Sequence, residues 1–347
     1  MSMSEHNFEI ANTSIAERVA GRLSIPLDIN VWNFLARDVS DEATKVKALL
    51  RGLVADGKVF CPLSFSVITE LFKQNYESAL RSGTLMEELS LNTSFALDKE
   101  IYSKEARNFL QRFVDGKQVG LAKSDVYVPA LAFVGSPGSL LFPAEFPAPE
   151  EEREAATQEL AARIASMKFT ELIHKFGSTL PLPLFQHLPT PEYSEVWEER
   201  WEYAKGNKEK MRQVEQDHYV RQILIPELQR ESAKLPADAR QRFAEYLKSL
   251  PQNKPGRAAG EILEHMPALK NAVEILTITG ENPKRKGTMN DFFDIQMMVT
   301  PLAYADALVA PDKWIRHLLT TQRSVFDVAG ARYIPSLSDF ETYLKSI

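Results

Sequence analysis

From Asn290 to Leu319 the chain reads NDFFDIQMMVTPLAYADALVAPDKWIRHLL, an apolar stretch interrupted by carboxylates at Asp291, Asp294, Asp306 and Asp312. Ile295, Met298, Val299, Leu302 and Ala303 share one face of a helix. Ala307 to Ala310 has the length and composition of a short buried strand. A second amphipathic helix begins at Lys313. The acids therefore stand at the start of a helix, before a strand and just past that strand's end. A core segment has no use for charge at those points, whereas a divalent-cation site does.

The rest of the chain is read as supplying partners for these acids. Ser24 to Leu27 is a short apolar strand ending in Asp28. A helix over Val31 to Arg37 follows. Asp41 opens another, with Val46, Leu49, Leu50, Leu53 and Val54 on one face and Gly57 as its stop. Lys58 to Cys61 is a second strand. Ser64 or Ser66 caps a helix predicted to end at Gly83, with Glu70 in its first two turns. Strand, helices, strand, helix is the opening of an α/β unit with a parallel sheet.

After Gly83 the character changes. Lys104 to Asp115 is an amphipathic helix. Asp125 to Val134 is strand-like, but Pro129 confines it to an edge or interrupts it. Gly and Pro fill 137–149, and Glu150 to Glu152 is an acidic helix start. Residues 152–177 and the charged stretch Glu192 to Leu235 read as helical, the latter interrupted at Gly206 and kinked or broken at Pro226. Further helices follow to Met266. The organisation expected is a first half over 1–83, a mainly helical insertion over 84–266 and a second half over 267–347. In that second half Pro301 is expected to kink or end its helix, and Ser338 with Glu341 has a capping-box spacing.

Composition narrows the classes. Of 347 residues, 44% are apolar and 25% charged, ordinary globular values. The formal net charge of -6 argues against nonspecific coating of nucleic acid, so any such contact must be local. The single cysteine, Cys61, cannot form an intrachain disulfide and fits a reducing, cytoplasmic setting. No apolar run reaches the roughly 18 residues of a membrane span. There is no P-loop, GxGxxG, HExxH, CxxC or GxSxG, and the six histidines lack metal-ligand spacing. What remains is a set of carboxylates. In parallel α/β sheets ligands bind beyond the carboxyl ends of the strands. Asp28 and Asp312 are placed there and Asp306 close by. Asp291 and Asp294 can point from one helix face. Acids without His or Cys suit Mg²⁺ or Mn²⁺. Each also has a structural explanation: Asp28, Asp291, Asp294 and Asp312 as helix-start or turn acids, Glu70 as a solvated surface acid. Lys284, Arg285 and Lys286, just before the acids, are either a solvated loop or a phosphate contact.

LDIN around Asp28, SVITELF around Glu70 and NDFFDIQMMVTPLAYADALVAPDKW together resemble the PIN-domain family of metal-dependent ribonucleases. The resemblance covers roughly 22–82 and 268–347. It implies a three-layer α/β fold with a central parallel sheet, here interrupted by the helical insertion. It places the family's acids on Asp28, Glu70, Asp294 and Asp312. Asp306 and Asp291 are similar to acids of PIN-like variants. The implied activity is endoribonucleolytic, on RNA rather than DNA, with Asp28, Asp291, Asp294, Asp306 and Asp312 holding Mg²⁺ or Mn²⁺. An insertion of this length exceeds that of toxin-type members and offers a surface for a protein partner. Two alternatives stand beside this: a haloacid-dehalogenase-type phosphatase, in which Asn30 replaces the usual second acid, and a silent scaffold that binds a partner.

Overall fold

The computed structural model of the chain describes residues 15–117, 119–132, 167–176, 202–204, 206–250, 255–280, 289–321 and 330–347, with a few isolated positions between them. Its strands are short: β1 (Leu23–Ser24), β2 (Val59–Phe60), β3 (Thr93–Phe95), β4 (Tyr127–Pro129), β5 (Ala307–Val309) and β6 (Arg332–Ile334). Helices dominate. Apart from a single turn at Lys123–Val126, the helices of the first half are α1 (Ile29–Arg37), α2 (Asp41–Ala55), α3 (Phe65–Leu71), α4 (Tyr76–Ser90), α5 (Asp98–Asp115) and α6 (Phe169–Phe176). Then come α7 (Lys208–Tyr219), α8 (Ile225–Ser232), α9 (Ala237–Ser249), α10 (Pro255–Leu263) and α11 (Pro267–Gly280). The last are α12 (Met289–Tyr304), α13 (Lys313–Thr321) and α14 (Leu337–Lys345).

The expected three-layer α/β fold with a central parallel sheet does not form. The described strands make three two-stranded sheets, and the architecture is mainly helical. β1 pairs with β2 and β5 with β6 in parallel, while β3 and β4 are antiparallel. Prolines explain the short ladders. Pro26 and Pro62 each follow two residues after a strand, where no N–H is available to continue the pairing, and β4 ends at Pro129. Beyond each of the first two prolines one residue makes an isolated parallel bridge, Leu27 with Val309 and Leu63 with Ser94. These bridges set the pairs side by side in the order β6-β5-β1-β2-β3-β4.

Several local expectations are also corrected. α4 does not stop at Gly83 but runs on to Ser90. A Cβ at Gly83 would lie 3.1 Å from Ile173 Cδ1 and 3.5 Å from Phe169 Cβ, so this glycine lets α6 approach closely. Residue 84 falls inside this helix. α5 starts at Asp98, six residues before the predicted Lys104. Pro301 does not end α12, which continues to Tyr304. At Pro226 the chain stays helical because a π-helical turn, Val220–Leu224, joins α7 to α8. A wider turn relieves the clash between a proline ring and the preceding carbonyls. The last helix is capped by Ser336, whose Oγ accepts from Asp339 N at 3.1 Å, two residues before the predicted Ser338.

Two apolar clusters hold the molecule. The larger includes Trp32, Phe60, Leu63, Phe95, Tyr127, Phe169, Leu302, Leu308 and Phe340. The smaller joins Phe109, Tyr219, Leu224, Phe243 and Ile262. α5 and α11 serve both. Ile101, Ala272 and Ile275 enter the first, and Phe109, Leu269 and Val273 the second. Each large apolar side chain buried this way contributes about 1.5–3 kcal/mol. Beside the second cluster the Arg112 guanidinium lies 4.6 Å from the Phe109 ring and 4.8 Å from Tyr246. Among the described residues no helix is long and apolar enough to cross a membrane.

Candidate functional site

Asp28 ends the first extended segment and begins α1. Its N–H donates to Val309 O at 2.9 Å, which fixes it beside the end of β5. It occupies the N-cap position, yet its carboxylate makes no capping hydrogen bond. Instead Asn30 Nδ2 donates to Asp28 Oδ2 at 3.0 Å. The residue is 5% exposed. Burial is the main cause that pushes its carboxyl up to about 6. The Asn30 amide and the Ile29 N–H oppose that rise, while Asp312 and Glu70 add to it by repulsion. Asp312 and Glu70 therefore both lie within electrostatic range of Asp28.

Each of the other two acids arrives by its own route. Glu70 is half-buried on α3, which starts where Ser64 Oγ accepts from Val67 N at 3.3 Å. α3 is tied to α1 by Gln74, just beyond it, whose Nε2 donates to Asn33 Oδ1 at 2.9 Å. Arg37 in turn donates to Gln74 Oε1 at 2.6 Å. Asp312 caps α13. Its Oδ1 accepts from Trp314 N at 2.6 Å and Ile315 N at 3.0 Å. Tyr333 reaches the same corner: its hydroxyl donates to Ala310 O at 2.8 Å. Burial raises its phenol to about 12. Arg316 opposes the rise, and Asp312 and Asp28 add to it.

Asp294 is half-buried on α12, one turn before Met297. Ser64 Oγ donates to Met297 Sδ at 3.2 Å, so this part of α12 lies over the start of α3. Asp306 is not brought to the cluster. It precedes β5, and its Oδ2 accepts from Ser24 N at 2.7 Å and Ser24 Oγ at 3.0 Å. Four residues of extended chain separate Ser24 from Asp28, on the order of 13 Å. Asp306 thus serves the opposite strand end, anchoring β1 to β5. Asp291 falls in the first turn of α12, its side chain outside the described residues, as are Lys284, Arg285 and Lys286.

The donors at the strand exits are hard oxygens, which fit Mg²⁺ or Mn²⁺ in kind. Among the described residues no three His, Cys, Asp or Glu side chains are grouped to hold one metal ion.

A second set of buried acids was not foreseen. Glu105, 2% exposed, accepts from Ala268 N at 2.8 Å and Leu269 N at 3.0 Å, capping α11 from α5. The Tyr304 hydroxyl also donates to it. Burial lifts its carboxyl to about 7 against these three hydrogen bonds. Asp98, raised to about 6 by burial, accepts from Thr300 Oγ1 at 2.6 Å. Asp98 and Glu105 are two helical turns apart, so one face of α5 carries both. That spacing was the available signal, and it was missed because the predicted helix began too late.

No protein-family model matches the chain, and neither a curated protein nor a solved structure matches it significantly.

Proposed function

We propose that this chain is a divalent-metal-dependent hydrolase of phosphodiester bonds, with RNA as substrate. The observation that supports it best is the buried Asp28 carboxyl at the strand exits, within electrostatic range of Asp312 and Glu70. Burying one carboxyl beside two others costs stability unless a cation or proton offsets them. Structural acids such as Asp306 spend their oxygens on backbone and hydroxyl donors; Asp28 spends one on Asn30 alone among side chains.

When bound, Mg²⁺ or Mn²⁺ would lower the pKa of an attacking water and offset charge on the phosphate. Asp28, Glu70, Asp294 and Asp312 would supply the oxygens, with Asp291 as a further donor. Asn30 orients Asp28 and presents no acid of its own. That favours diester cleavage over the phosphatase alternative, which needs a proton donor at that position. Asp312 Oδ1 is held in place by two N–H donors. Lys284, Arg285 and Lys286 are retained as phosphate contacts on sequence grounds.

The test is cleavage of a single-stranded RNA oligonucleotide in the presence of Mn²⁺. Asp28→Asn is expected to reduce the rate at least a hundredfold, since losing a metal-bearing position typically costs that much or more. Asp306→Asn is expected to retain cleavage. Wild-type chain that cleaves no polynucleotide with Mn²⁺ or Mg²⁺ sinks the proposal.

A further inference from the structure

We infer that the groove between α8 and α9 binds a free aliphatic carboxylate, with its acid group at Arg240 and its chain toward Leu250. The groove belongs to the smaller apolar cluster, so this holds whether or not the chain is a hydrolase.

Both helices pack on α5, and a cavity of about 420 Å³ lies between them. Leu228 lines it from α8, Phe243 and Leu247 from α9, and Ile262 from α10. The π-helical turn before α8 adds Val220 and Leu224, and such turns recur at functional sites. A mostly apolar cavity of this size with a few polar groups is the usual form of a small-molecule site. Two of the lining residues, Ile225 and Leu247, are 40% and 37% exposed, and a bound alkyl chain would take that surface out of water.

The polar groups collect at one end. Arg240 Nη2 donates to Ala233 O at 3.2 Å and Leu235 O at 3.0 Å, which pins the guanidinium at the connection between the two helices. Ser232, the last residue of α8, lines the groove there. Nearby cations are spent on acids: Arg230 on Glu227 and Glu231, Lys234 on Glu231, Arg242 on Asp238. Arg240 pairs with no acid among the described residues, and its Nη1 is left for a ligand. It is also the one charged residue lining the groove among those described. A single cation held at the end of an apolar groove suits a monoanion with an apolar tail. Leu247 and Leu250 lie further along α9, about 10 and 15 Å from Arg240 at 1.5 Å per residue. That run fits an extended alkyl chain. A partner helix would need apolar anchors at both ends, and the Arg240 end offers it none.

Isothermal titration calorimetry of dodecanoate, kept below its micelle concentration, into the full chain tests this. The wild type is expected to bind it at one site. Arg240→Gln should weaken binding at least about tenfold, because a charge-assisted hydrogen bond is lost while the apolar walls stay. Lys248→Gln makes the same change at an exposed cation of α9 outside the groove, and should leave affinity within about twofold. Decanoate should bind roughly fifteenfold more weakly than dodecanoate, about fourfold for each methylene lost. Ala244→Trp puts a ring into the groove from an exposed helix position and should abolish binding. Thermal melts by circular dichroism check that the variants fold. No binding by the wild type overturns the inference, and so does an Arg240→Gln affinity equal to wild type. An equal loss in Lys248→Gln overturns it as well, since it would mark general attraction to cations. A dimer that Ala244→Trp converts to monomer in sedimentation, with no dodecanoate bound by the wild type, would give the groove to a second copy instead.

Discussion

Asp28 and Glu105 are both buried carboxyls, and their partners set them apart. Glu105 gives its oxygens to two backbone N–H groups and a phenol, a structural use. Asp28 has one side-chain donor and two acids for neighbours. Both carry a stability consequence. An unfolded glutamate titrates near 4.3, whereas burial lifts Glu105 to about 7. The folded state therefore binds the extra proton between those values. Its contribution is fully present below about pH 4.3 and is lost as pH rises through about 7, by up to roughly 4 kcal/mol. Asp98 and Asp28, each raised to about 6, act in the same direction. The urea midpoint is expected to fall between pH 5 and pH 8, and the Glu105→Gln variant should show a shallower fall. A wild-type midpoint that holds or rises over that range contradicts this. That Asp28, Glu70 and Asp312 each follow a strand or lie on the helix after one was legible in the sequence. Asp306 was misplaced. It precedes its strand, and parallel strands put their starts and ends on opposite sides.

At the scale of elements, helix faces were legible and helix ends less so. Gly57, with φ of 74°, stops α2 as read, but Gly83 permits a close helix contact instead. The two uses of glycine look identical in sequence; only the presence of Ile173 against it separates them. The last helix offers a sharp check. Ser336 accepts from Asp339 N, whereas Ser338 is exposed and one residue into the helix. Ser336→Ala is expected to lower stability by about 1 kcal/mol, and Ser338→Ala to leave it within about 0.5 kcal/mol. Equal effects in chemical denaturation would refute the Ser336 cap. The strands went furthest from expectation. Apolar runs around Ile25 and Cys61 read as sheet strands, but Pro26 and Pro62 cut each ladder to two residues and a single bridge.

For the whole molecule, the stretch 84–266 is not peripheral to the core. Leu85, Met86, Leu89, Phe95, Ile101, Tyr127 and Phe169 all enter the larger cluster with Trp32 and Leu308. A chain in which 84–266 is replaced by a short flexible linker is expected to lose its cooperative thermal transition by circular dichroism. Seven such residues at about 1.5 kcal/mol or more each match the whole stability of an ordinary domain. A cooperative transition near that of the intact chain would show that the remainder folds alone. The sequence by itself determined which faces are apolar, where the chain can turn and which acids stand at strand ends, because periodicity, proline and local capping act over a few residues. The tertiary structure decided that α5 and α11 each serve two cores and that Glu105 caps a helix 163 residues away. It also separated Asp306 from Asp28 by tying it to Ser24 at the other end of the strand. Those outcomes depend on which surfaces meet, and meeting is set by packing between segments far apart in the chain.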